Sequence, residues 1–114
     1  MNDLQRLAAI LADWSAETTS TIYLFGSRVR GDHRPDSDVD VVIRFGAANE
    51  EDVRWWTELN EEKFASVNAL LHGPLRILEN NDPVADMVIA TEPIYRDRNV
   101  LCVWLPPKSD AIRH

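Results

Sequence analysis

Cysteine is nearly missing from this chain: Cys102 is the only one in 114 residues. No internal disulfide can form, and the apolar run Val100–Leu105 around Cys102 marks it as a small buried hydrophobe. Lysine is almost as scarce, with Lys63 and Lys108 alone, and the formal net charge is −7. A surface that grips polynucleotide by its phosphates needs clustered Lys and Arg, so long nucleic acid is not an expected partner. There is no run of about 18 apolar residues and nothing laid out like a signal peptide, so no membrane is expected and the expected location is cytoplasmic. Also missing are a Ser-His-Asp arrangement, Cys/His zinc spacing, a Walker-type lysine turn, internal repeats and low-complexity segments.

What is present is ordinary for a soluble globular protein, 45% hydrophobic and 27% charged. The length suits one domain and leaves no room for a separate substrate domain. We expect that domain to span residues 1–107, with Pro106-Pro107 ending the folded part and 108–114 a flexible C-terminal tail.

The chain is organised around Thr21–Phe45. Thr21–Phe25 is β-branched and aromatic and is closed by Gly26, which fits a buried strand stopped by a residue able to take positive φ. After Gly26-Ser27 and ten further residues, Asp38-Val-Asp-Val-Val-Ile43 alternates, placing the two acids on one face and Val39, Val41 and Ile43 on the other. One face should carry charge and the other core. Carboxylates at i and i+2 on a strand lie about 6.6 Å apart by backbone rise and can converge on the same cations. Arg28, Arg30, Arg34 and Arg44 crowd this acidic strand, and their forked donors suit small polyphosphates.

Around that centre, Leu4, Leu7, Leu11 and Trp14 at helical spacing predict an amphipathic helix from Asp3 to about Glu17, with Asp3 as its N-cap. A second helix is expected from Glu50 to Leu71, stopped by Gly73-Pro74, with Trp55 off its apolar stripe. Leu75–Leu78 has the length of a short strand. Asp82-Pro83 reads as an N-cap with proline at the first helical position, opening a helix to about Ala90. Pro93–Tyr95 and Val100–Leu105 form a candidate hairpin around Arg96–Asn99. The order α-β-β-α-β-α-β-β predicts an α+β fold, a small mixed sheet with helices packed mainly on one face.

Strand, Gly26-Ser27, ten residues, Asp38-x-Asp40 and strand together resemble the polymerase-beta-like nucleotidyltransferase superfamily. Over Tyr23–Phe45 the likeness extends to its minimal nucleotidyltransferase branch, many of whose small members partner a HEPN protein in toxin–antitoxin pairs. The resemblance implies that Asp38 and Asp40 are catalytic metal ligands for two Mg²⁺, with Mn²⁺ able to substitute. It also implies that Gly26, Ser27 and Arg28 cradle the triphosphate of an NTP, with Arg30 assisting. It further implies transfer of a nucleoside monophosphate, expected from ATP, to a hydroxyl of a protein or small molecule. A HEPN-type partner protein is a further implication, and a homo-oligomer is the other protein contact open to the chain.

The chain departs from the family pattern at one place. A third carboxylate is expected on the neighbouring strand, where Pro74-Leu-Arg-Ile-Leu-Glu79 places Arg76 instead. Glu79 and Asp86 are the substitutes, and were Asp86–Ile89 a strand instead of a helix, Asp86 would be the natural ligand. That departure keeps a second reading open: a non-catalytic, antitoxin-like module that acts by contacting a partner. A blander account, in which Asp36, Asp38 and Ser27 only cap turns and the arginines pair on a solvated loop, must explain each feature separately. His33, in the loop near the acids, and His72, before Gly73, call for no chemistry.

Overall fold

The computed structural model describes residues 2–16, 20–32, 37–44, 69, 71, 75–78 and 82–106. Its elements are α1 (Asp3–Ser15), β1 (Thr21–Phe25), α2 (Ser27–Arg30), β2 (Val39–Arg44), β3 (Leu75–Ile77), α3 (Pro83–Ala90), β4 (Tyr95–Asp97) and β5 (Val100–Cys102). The strands form one five-stranded mixed sheet in the order β3-β2-β1-β5-β4. β1 is its centre, antiparallel to β2 and parallel to β5. The expected α+β fold with a small mixed sheet is what the chain adopts.

Alternation on β1 divides the core in two. Ile22 and Leu24 face α1, where Leu7, Ala8, Leu11 and Ala12 pack on them together with Val39, Val41, Ile43, Val100 and Cys102. Phe25 faces the other way, with Val42, Val103 and, from α3, Ala85 and Val88. α1 therefore covers one face of the sheet and α3 the other. Val42, fully buried, lies on the same side of β2 as Asp40. The expected division of β2 into a charged face and a core face is thus corrected: the acid side carries a small core of its own.

The ends of the helices follow from local chemistry. α1 begins one residue earlier than the Asp3 cap expected from the sequence: Gln5 N–H donates to Asn2 Oδ1 at 2.8 Å, and Asn2 N–H donates to Gln5 Oε1 at 3.1 Å. This reciprocal capping box satisfies two amides that a lone Asp3 could not, and Asp3 becomes the acid of the first turn. At α3, Asp82 accepts from Val84 N–H at 2.9 Å with Pro83 following, as the sequence predicts.

The β4–β5 hairpin is tighter than the expected Arg96–Asn99 turn. Strand pairing runs through Asp97↔Val100, leaving Arg98 and Asn99 as the connection, with Arg98 at φ 52°. Asn99 Nδ2 donates to Ser15 Oγ at 2.7 Å and to the Ser20 carbonyl, while Ile22 N–H donates to the Asn99 carbonyl at 3.0 Å. This knot seats β5 beside β1. Most of the expected Glu50–Leu71 helix, with Trp55, lies outside the described residues, as does the tail; Leu71 itself is buried in the core on the α1 side.

Candidate active site

The site is built where β1 stops. Gly26 follows Phe25 at φ 85°, ψ −157°, a region essentially reserved for glycine. Its carbonyl accepts from Val29 and Arg30 N–H, both at 3.1 Å, which starts the single turn of α2. Gly31 at φ 87° ends that turn, its N–H donating to the Ser27 carbonyl at 2.8 Å. Two positive-φ glycines thus bracket Ser27–Arg30 and turn the chain sharply at the end of the central strand.

The turn meets the acidic strand directly. In the antiparallel β1–β2 pair Phe25 lies across from Asp40. The Asp40 carboxylate packs so closely on Gly26 that a Cβ there would collide with Asp40 Oδ2. Glycine is required here twice, by its backbone angles and by its bareness. Asp40 is half-buried and Asp38, just before β2, is exposed. Burial pushes the Asp40 carboxyl above its ordinary value; the Arg76 charge opposes that rise, Asp38 adds to it and Arg30 opposes it more weakly. The Asp38 charge is thus close enough to act on Asp40.

The arginines divide their work. Arg28 Nη2 donates to the Ser37 carbonyl at 2.7 Å, tying the turn to the segment that leads into Asp38. Arg30 Nε bonds Asp32 Oδ2 at 3.2 Å, and its Nη1 donates to the Leu105 carbonyl at 3.2 Å. Sequence reasoning missed both backbone anchors, because the acceptors are main-chain carbonyls that carry no residue-type signal. Arg76 faces Asp40 from β3: the two are paired across the parallel β2–β3 ladder, with Arg76 Nη1 3.9 Å from Asp40 Oδ1.

Of the expected site residues, Gly26, Ser27, Asp38 and Asp40 thus share one end of the sheet, with Arg28 bound close by. Of the expected substitutes for a third acid, only Asp86 falls among the described residues. Asp86 is on the helix α3 and is exposed, and Glu79, like His33 and His72, lies outside the described residues. Among the described residues no group of three His, Cys, Asp or Glu side chains could hold a metal.

The two carboxylates nevertheless fit a hard divalent cation. Asp40 has its negative charge disfavoured by burial, which a cation would reverse, and Mg²⁺ needs only one or two carboxylates when waters and substrate phosphates complete its shell. No helix among the described residues is long and apolar enough to cross a membrane.

No curated protein and no solved structure matches the chain. A family model described as a nucleotidyltransferase domain matches residues 4–93, which takes in all but the first residue of α1, the Gly26-Ser27 turn, both aspartates, Arg76 and α3. With most of its length matched and this strand–turn–strand arrangement at its centre, the chain belongs to the nucleotidyltransferase domain family, in keeping with the polymerase-beta-like superfamily.

Proposed function

We propose that the protein transfers a nucleoside monophosphate from an NTP, with ATP the expected donor, to a hydroxyl of a protein or small molecule. The observation that carries this reading is the packing of the Asp40 carboxylate on Gly26, which brings the turn and the acidic strand to one place. In this reading Gly26 lets a triphosphate come close to the main chain. Ser27 offers its hydroxyl and first-turn amide to phosphate oxygens. Arg28, half-buried and anchored on Ser37, adds fixed positive charge beside the turn. Asp38 and Asp40 would hold Mg²⁺. The cation would neutralise the polyphosphate and favour ionisation of the attacking hydroxyl.

The acceptor oxygen bonds to the α-phosphorus as the bond to the β-phosphate bridge breaks, releasing pyrophosphate and a proton. Such a transfer asks chiefly for positioning and charge neutralisation, so a small domain suffices. We assign the choice of acceptor to a partner protein of the HEPN type in a toxin–antitoxin pair, in the cytoplasm where NTP and Mg²⁺ are at hand.

A second reading has its own observation. Arg76 stands across from Asp40 where a further ligand would serve catalysis, which favours a module that keeps the fold and nucleotide affinity and neutralises its partner by contact. Radiolabelled ATP with Mg²⁺ or Mn²⁺ and the product of the adjacent gene separates the two. Label transfer that disappears in Asp38→Ala/Asp40→Ala supports the enzyme. Complex formation without transfer, unaffected by both substitutions, supports the module.

A further inference from the structure

β3 is an edge strand of the sheet, and Arg76 on it lies directly across from Asp40 on β2. Paired residues of neighbouring strands project to the same face, so the guanidinium rises beside the carboxylate. The 3.9 Å separation is a charge contact too long for a hydrogen bond, and 66% of the Arg76 side chain is exposed. Among the described residues Asp40 is the one acid within ion-pair distance of Arg76. The two oxygens of Asp40 thus have different neighbours: Oδ2 is against the Gly26 turn, and Oδ1 is toward Arg76.

From this placement we infer that Arg76 is a positioning residue that holds the outer oxygen of Asp40 and competes with a divalent cation for it, setting the cation concentration at which the site fills. The inference rests on the cation-site reading above. A guanidinium does not lose its proton in proteins, so the opposing charge is permanent. A cation approaching Asp40 meets that charge at close range. The contact is also weak enough to be displaced, because it is long, solvent-exposed and not hydrogen-bonded. Arg76 therefore raises the threshold for cation binding without closing the site.

The test is Mn²⁺ titration of the full chain, followed by the electron paramagnetic resonance signal of free Mn²⁺. Wild type is compared with Arg76→Ala, Arg76→Lys, Arg76→Glu and Asp40→Asn. Since Arg76 is exposed on an edge strand, its truncation leaves the core intact. Arg76→Ala is expected to tighten Mn²⁺ about fivefold, the size of one exposed charge contact. Arg76→Lys keeps the charge and is expected to stay near wild type, and Arg76→Glu, which sets a carboxylate across from Asp40, is expected to bind tighter than Arg76→Ala. Unchanged or weaker binding in Arg76→Ala, or equal tightening in the Ala and Lys variants, overturns the inference while loss of binding in Asp40→Asn leaves the cation site standing. If Asp40→Asn binds as wild type does, or no variant binds Mn²⁺, the cation site itself is refuted and the inference with it.

Discussion

The two ends of β1 are both guarded by arginine and aspartate, and they are built on opposite principles. At the end where β1 begins, all three nitrogens of the Arg98 guanidinium are engaged. It bonds Asp13 at 2.7 Å and Asp97 at 2.9 Å, and reaches toward the Ala9 carbonyl at 3.4 Å. These contacts lock the hairpin turn onto α1 and raise the already high pKa of Arg98. At the end where β1 stops, Asp40 has one guanidinium at 3.9 Å, a second carboxylate nearby and a bare glycine against it. The first corner spends its charges on structure. The second leaves a partly buried carboxylate short of positive charge, the condition a bound cation satisfies.

The sharpest way to break this comparison is at Asp40. Asp40→Asn is expected to lower nucleotidyl transfer by about a hundredfold or more in the labelled-ATP assay, the scale of losing a charge-stabilising group at a reacting phosphate. The same change is expected to raise Tm at pH 7. Burial lifts the Asp40 carboxyl above 3.8, so the folded protein keeps this proton where the unfolded chain has lost it. The group's contribution to stability therefore falls as pH climbs from near 3.8 through the raised value, and stays lost above it. The Tm advantage of Asp40→Asn should shrink toward zero as the pH is taken below 3.8. A lower Tm at neutral pH would mean that Asp40 is a structural anchor like Asp13 and Asp97.

Gly26→Ala should come next in size. The φ of 85° with ψ near −157° costs a side-chain-bearing residue about 1–3 kcal/mol before the collision with Asp40 is added. Urea unfolding should show a lower midpoint with an unchanged slope, and transfer should be lost with it. At the other corner, Arg98→Ala should lower Tm modestly and leave transfer unchanged, since its bonds hold only the hairpin and α1. Loss of activity there would erase the distinction between the two ends.

The smallest effect concerns Cys102. Burial, with Asp97 adding to it, pushes its thiol up to about 12, so alkylation at pH 8 should be negligible in the folded protein and rapid in urea.

What the sequence made legible was local. Thr21–Phe25 ended by Gly26 and the Asp82-Pro83 cap each encode their structure within a few residues, and each holds; the alternation from Asp38 to Ile43 marks the strand but not the small core that Val42 joins on the acid side. The pairing of Gly26-Ser27 with Asp38-x-Asp40 was legible as a resemblance that the family match supports. The N-cap slipped by one residue because Asn2 and Asp3 are both good caps, and only the reciprocal bond with Gln5 separates them.

Less could be read where partners are far apart in sequence. The parallel insertion of β5 beside β1 depends on Asn99 reaching Ser15 and Ser20. The anchoring of Arg30 depends on a carbonyl 75 residues away. Arg76 is legible as a departure from the family pattern, but its contact with Asp40 follows from strand register, which is set by the whole sheet.

The most direct test is an amide NMR spectrum recorded with sub-stoichiometric Mn²⁺. Gly26, Ser27 and the amides of Val39 to Val41 should broaden first and most, while those of Arg98 and Asn99 broaden least, and Asp38→Ala/Asp40→Ala should abolish the pattern. Broadening centred on the Asp13–Arg98–Asp97 corner, or a pattern unchanged in the double variant, would contradict the account.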